Sequence, residues 1–191
     1  ELLELIDNVL WMTSLNAGDA NATIEKFDAR DVIHEAVKRH EKMIGEKGLQ
    51  VNVHAGDREL PLVSDRAKVD RIFQNVFNNA VKFTTEGQID VKVQATPDKN
   101  GIEFEIIDTG VGIEESNIDS IFEPFHQADN SVQRAYSGLG LGLTVARRMA
   151  ELVGGRLTVT SKPGSGTRVS MSFPSQVNGA TASTLEQRKY G

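Results

Sequence analysis

The sequence contains no cysteine. Disulfides and thiolate metal sites are therefore excluded, and the composition fits a reducing cytoplasm. No apolar run approaches the roughly 20 residues of a membrane helix. The opening, ELLELIDNVLW, has neither the basic start nor the small-residue cleavage site of a secretory signal. Positive charge is in short supply: 21 Lys and Arg stand against 27 Asp and Glu, a net charge of −6. A general nucleic-acid binder needs a basic face, so the expected partners include no nucleic acid. The same balance makes a polyanion an awkward ligand, and a bound nucleotide would call for a cation to bridge the repulsion. Internal repeats and low-complexity blocks are also missing.

What is present is ordinary for a globular chain, with 39% hydrophobic and 25% charged residues. A length of 191 residues allows one domain with a substantial core and a short extra segment. Leu2, Leu3, Leu5, Ile6, Val9, Leu10 and Met12 have the spacing of an amphipathic helix, expected over 1–16 and opening abruptly, as in a piece of something longer. Residues 17–27 are polar and turn-rich and read as a linker. Asp28 or Asp31 can cap a helix over about 30–47 that stops near Gly48. Ser64 or Asp65 can cap the most regular helix, whose Val69, Ile72, Phe73, Val76, Phe77, Ala80 and Val81 form one apolar stripe. LQVNVHA, GQIDVKVQAT, GIEFEIID, RLTVTS and GTRVSMSFP read as strands. A short helix is possible at about 114–120, and Gly154 and Gly155 stop another that begins near Leu141. The fold class expected is α+β, a two-layer sandwich in which about three helices cover one face of a mixed sheet of about five strands. Residues 28–174 form this domain, and 175–191 read as a flexible tail.

YSGLGLGL, residues 136–143, places Gly138, Gly140 and Gly142 on alternate positions before a helix. The spacing is not G-x-G-x-x-G, no strand precedes it, and no Walker pattern exists. Backbone N–H groups opening a helix can still meet phosphate oxygens. The other reading is a flexible loop.

RIFQNVFNNAVKFT puts Asn75, Asn79 and Lys82 on the helix face opposite the apolar stripe. Asn is a mediocre helix former, so three in one helix call for a reason. Amide oxygens are hard ligands that suit Mg²⁺, and Lys82 offers a point charge to the same phosphates. The other reading is a solvated polar face. IIDTGVGI delivers Asp108 at the end of a strand, followed by Gly110 and Gly112. A carboxylate there can accept from an exocyclic amine, or simply cap a turn.

NVFNNAVKFT, DTGVGI, FEPFHQAD with GLGLGL, and GSGTRVSMSFP stand in this order. Together they resemble the ATP-binding catalytic domain of sensor histidine kinases, a Bergerat fold shared with gyrase and MutL, over roughly residues 26–174. The resemblance implies ATP and Mg²⁺ as cofactors. It makes Asn79 the principal Mg²⁺ ligand, with Asn75 assisting metal or phosphate, Lys82 the phosphate lysine, and Phe83 a neighbour of the adenine. Asp108 would read the adenine amine, with Gly110, Gly112 and Ile113 forming the turn behind it. Phe122 and Phe125 would hinge a lid over about 126–139, within which Arg134 meets the γ-phosphate. Gly138, Gly140, Leu141 and Gly142 would offer backbone to the phosphates, and Thr167 would approach the adenine, often through water. Asn79, Lys82 and Arg134 would carry the catalytic roles. Ala135, Ser137 and Leu139 depart from the family pattern, which bears on lid chemistry and transfer rate more than on adenine binding.

The family's phosphoacceptor motif is missing. HEAVKRH contains His34 and Glu35, but nothing after them matches, and His34 falls where the family has a catalytic-domain helix. His40 is six residues from His34, which is not a zinc H-E-x-x-H spacing. Residues 1–15 instead resemble the end of a dimerisation-domain helix, with Leu2, Leu5, Ile6 and Val9 as half of a bundle seam. The expected function is therefore transfer of the ATP γ-phosphate to a histidine in a dimerisation domain outside this chain. Expected partners are that phosphoacceptor domain and a downstream response-regulator receiver domain. The intact protein is expected to be a homodimer, the fragment a monomer, and the location cytoplasmic, as the cytosolic part of a sensor. Two other readings remain: an interaction module that regulates a partner kinase, and a gyrase-type clamp, which lacks its general-base glutamate.

Overall fold

The computed structural model describes residues 2–17, 23–126 and 140–176. Its helices are α1 (Leu2–Ala17), α2 (Ala29–Lys47), α3 (Arg66–Phe83) and α4 (Gly142–Leu152). Its strands are β1 (Ile24–Asp28), β2 (Gln50–His54), β3 (Pro61–Asp65), β4 (Gln88–Ala95), β5 (Gly101–Asp108), β6 (Arg156–Lys162) and β7 (Gly166–Pro174). Two 3-10 turns, Glu115–Asn117 and Ser120–Phe122, take the place of the short helix expected near 114–120.

Five strands form one mixed sheet in the order β2-β4-β5-β7-β6, with β2 parallel to β4 and the other neighbours antiparallel. This is the α+β two-layer arrangement expected from the strand count. The sheet alternates as a half-buried sheet must. On β5, Ile102, Phe104, Ile106 and Asp108 are buried, while Glu103 and Glu105 on the opposite face are more accessible. The buried face packs against α2, α3 and α4. Every residue of the apolar stripe on α3 is buried, and Phe73 stacks on Phe77 and meets Phe104 edge-on at 5.6 Å, with Phe173 beyond at 5.8 Å. Each such ring contributes roughly 2–3 kcal/mol of apolar burial.

Helix ends follow local chemistry. Asp28 caps α2, with Oδ1 accepting from Arg30 N at 3.0 Å, and Gly48 ends it at φ 63°. Asp65 caps α3, with Oδ1 accepting from Lys68 N at 3.0 Å. Its other oxygen accepts from Lys68 Nζ at 2.5 Å, a buried ion pair within the first turn of α3, and from Thr23 N at 3.0 Å, which ties the residue before β1 to that turn.

One expectation needs correction. Residues 24–27, read as linker, are not linker. They begin β1, which pairs antiparallel with β3 in a second, two-stranded sheet. PLVSD carries no alternation that marks a strand, yet it forms β3, with Leu62, Val63, Ser64 and Asp65 all buried. Thus strand pairing begins at Ile24, before residue 28. Among the described residues no helix is long and apolar enough to cross a membrane.

Candidate functional site

Site residues gather where α3, the β5 turn and the start of α4 meet. The C-terminal end of α3 lies against the Asp108 turn: Val111 N donates to Phe83 O at 3.3 Å. A Cβ on Gly110 would stand 2.6 Å from the same oxygen, so only glycine lets the turn approach this closely.

Asp108 sits on the buried face of β5 and is 8% exposed. Its Oδ1 accepts from Gly110 N at 2.9 Å and Thr167 N at 3.2 Å. Oδ2 has no partner among the described residues. Burial pushes the carboxyl above its usual range, while the two backbone N–H bonds pull the other way. The turn closes on β6 and its loop. Gly112 stands at φ 71°, where a Cβ would overlap the carbonyl oxygen of Lys162. Ile113 N donates to Ser161 Oγ at 2.8 Å, and Gly164 N to Val111 O at 2.8 Å.

Sequence pattern does not single out Ser161, yet it is the hub of this corner. Its hydroxyl donates to Gly166 O at 2.9 Å and lies 2.9 Å from Thr167 Oγ1. With its one proton on Gly166 O, Ser161 accepts from the Thr167 hydroxyl, whose lone pairs stay open. A serine within TVTSK gives no signal of this role. The register that pairs Ser161 with Thr167 creates it.

On α3 the amides divide. Asn75 is 5% exposed, and its Nδ2 donates to Gly142 O at 3.0 Å. Its face is thus not a freely solvated one: α4 covers it, and the side chain fixes where α4 begins. Asn79 is half-buried and has no partner among the described residues. Lys82 Nζ lies 5.4 Å from the centre of the Phe83 ring. Among the described residues no side chain caps α4. Its start is held from three sides instead: by Asn75, by Thr144 Oγ1 donating to Phe122 O at 2.9 Å, and by Gly140, whose φ of 66° lets it lie against the His126 backbone. Leu141 is buried beside it.

Phe122 packs partly on the core, with the Arg147 guanidinium 4.8 Å over its ring. Phe125, the other residue expected at the lid hinge, is placed differently from Phe122. It is 68% exposed and held at φ 63°, a strained setting for an aromatic residue. Arg134, Ala135, Ser137, Gly138 and Leu139 lie outside the described residues, as does the stretch 177–191. His34 is exposed on α2, while His40 donates from Nδ1 to Ala36 O at 2.9 Å and meets Phe77 edge-on.

Among the described residues no three carboxylates or imidazoles cluster as a metal cage. The Asn79 amide oxygen, which has no partner among the described residues, is a hard oxygen donor of the kind that suits a cation sharing its shell with phosphates and water.

The family described as "Histidine kinase-, DNA gyrase B-, and HSP90-like ATPase" matches residues 64–177, and the chain belongs to that family. It is 32% identical over 176 residues to the autoinducer 2 sensor kinase/phosphatase LuxQ of Vibrio cholerae, across 91% of this chain and 20% of that protein. It is 33% identical over 174 residues to the virulence sensor protein BvgS of Bordetella bronchiseptica, across 89% of this chain and 14% of that protein. The chain therefore spans a fifth or less of these two relatives. The structure resembles full-length ShkA in complex with AMPPNP, with a TM-score of 0.80 and 26% identity over 91% of this chain and 35% of that one. The catalytic domain of the histidine kinase ThkA shares the fold, with a TM-score of 0.69 at 18% identity over 82% of this chain and 99% of that one.

Proposed function

We propose that this chain is the ATP-binding catalytic domain of a two-component sensor histidine kinase and transfers the γ-phosphoryl group of ATP to a histidine of a dimerisation domain. The observation that carries the reading is Asp108: a buried carboxylate at a strand end, one oxygen fixed by two backbone N–H groups and the other left to accept. Oδ2 accepts from the exocyclic amine of adenine. The Thr167 hydroxyl serves the same edge through water, and Gly110 and Gly112 keep the backbone low beside the ring. Phe83, Ile113 and Phe122 flank the base, while Phe125 hinges the segment that follows.

Lys82 places its charge on the phosphates, Arg134 meets the γ-phosphate, and the backbone of Gly138, Gly140, Leu141 and Gly142 faces the phosphate chain. Asn79 would hold Mg²⁺, which would supply charge neutralisation at the phosphates. Asn75 acts mainly by fixing the start of α4, leaving its Oδ1 as a second acceptor. A histidine nitrogen attacks the γ-phosphorus in line, and the bond to the β–γ bridging oxygen breaks as ADP leaves. The chain's part is positioning and electrostatics rather than acid–base chemistry. The partners are the phosphoacceptor domain, in a homodimer, and a receiver domain downstream, with the whole assembly cytoplasmic at this end.

Calorimetric titration with a non-hydrolysable ATP analogue, with and without Mg²⁺, tests the site. Metal-dependent binding in the micromolar range is expected, and no binding at millimolar nucleotide overturns the reading. Transfer of labelled γ-phosphate to a supplied acceptor domain tests the activity.

A further inference from the structure

The last turn of α3 carries Lys82 and Phe83, and its carbonyl groups have no partners within the helix. The structure closes them from two directions. Lys47, the final residue of α2, donates from Nζ to Val81 O at 2.8 Å, Lys82 O at 2.8 Å and Thr84 O at 3.1 Å. Val111 N, from the Asp108 turn, takes Phe83 O at 3.3 Å. An ammonium group has three N–H donors, and here three carbonyl oxygens meet it. It sits at the negative end of the α3 dipole, where a cation is favourable.

From this geometry we infer that Lys47 is a positioning residue of the nucleotide site. It acts through backbone, not through contact with nucleotide. By holding the carbonyls on both sides of Phe83, it fixes the last turn of α3 and so directs the Lys82 and Phe83 side chains. By fixing that turn, it also fixes Phe83 O, the acceptor that joins α3 to the Asp108 turn. The amide face and the adenine-reading carboxylate are kept in register at this one joint. The inference rests on the nucleotide reading above for its consequence, but the joint itself is independent of it.

The test compares wild type with Lys47→Met, Lys47→Arg and, as a control for general loss of stability, Arg30→Met. Arg30 pairs with Asp28 at the N-terminal end of α2. Each variant is titrated with a non-hydrolysable ATP analogue and Mg²⁺ well below its melting temperature, with circular dichroism to establish folding. Lys47→Met is expected to bind about tenfold more weakly, the scale of a lost charge-assisted hydrogen bond. Lys47→Arg, which keeps charge and donors, is expected to recover most of the affinity. Arg30→Met is expected to melt lower and bind as wild type does. Folded Lys47→Met that binds like wild type overturns the inference, as does equal weakening by Arg30→Met. Amide exchange separates this from the nucleotide reading. If wild type binds no nucleotide, that reading fails, while faster exchange at Val111 and Thr84 in Lys47→Met still supports the joint, and unchanged exchange overturns it. If Lys47→Met does not fold, Lys47→Gln, with an uncharged amide donor, takes its place under the same criteria.

Discussion

Thr167 donates its backbone N–H to Oδ1 of Asp108 at 3.2 Å, across the strand pair in which these two residues are register partners. This bond and the one from Gly110 orient the carboxylate but do not cancel the cost of burying it. The folded-state pKa is raised, so the stability this group contributes is complete below the ordinary value of 3.8 and is lost as pH rises through the raised value. Above that raised value the ionised group is a net cost to the fold.

Asp108→Asn is therefore expected to melt no lower than wild type at pH 7, with the difference narrowing toward pH 4. An amide can still accept both N–H bonds at one atom, but presents a donor where Oδ2 was. Preference for ATP over GTP should fall in the same variant. Paired melting curves at the two pH values and nucleotide titrations check both halves. A large loss of stability at pH 7 would contradict the sign, and an intact preference would remove Asp108 from base recognition.

Asn79→Ala is expected to leave the fold untouched and abolish the Mg²⁺-dependent part of nucleotide affinity. The side chain has no partner to lose among the described residues, and Ala is the better helix former, so stability should change by less than about 0.5 kcal/mol. Titrations with and without Mg²⁺ give the readout. Retained metal dependence would move the ligand elsewhere.

Gly166→Ala is expected to destabilise the domain by about 2 kcal/mol or more, through the clash and the backbone together. Gly166 stands at φ 90°, and a Cβ there would overlap the carbonyl oxygen of Asp108. The change also displaces Gly166 O, which Ser161 holds. Gly164→Ala is the control, because a Cβ at Gly164 meets nothing within 4 Å even though φ is 69°. Denaturant unfolding of the two variants separates steric overlap from left-handed strain.

Much of this arrangement was legible in the sequence because it is periodic. The stripe from Val69 to Val81 repeats every three to four residues, and each of its members is buried. Alternation along β5 ends on Asp108, so the carboxylate on the apolar face could be read directly. What was not legible depends on partners far away in the chain. In β1 only Phe27 is buried, so nothing in its pattern marked it as a strand before β3 paired with it. Asn75 lies on a polar face by spacing, and α4 packs against it. Ser161 and Lys47 matter through backbone atoms of other segments, which side-chain pattern does not encode.

Arg71 shows the same dependence on a distant partner, and it can be tested with an internal probe. Its Nη2 donates to Asn8 Oδ1 at 2.9 Å, and Nη1 lies 3.8 Å from Asp7, so α3 grips α1 one turn before Asn75. Asn8 is itself buried, and Trp11 and Met12 pack partly against the core beside it. Trp11 is the single tryptophan of the chain, so its fluorescence reports the docking of α1 alone. Arg71→Ala leaves the Asn8 amide without its partner, a loss of about 1–3 kcal/mol borne by one helix contact. The Trp11 emission is expected to shift to longer wavelength while the far-ultraviolet signal of the domain persists. Asp7→Asn, which removes only the longer and more exposed contact, should shift it far less. An unchanged Trp11 spectrum in Arg71→Ala would mean that the apolar contacts of Trp11 and Met12 suffice to hold α1.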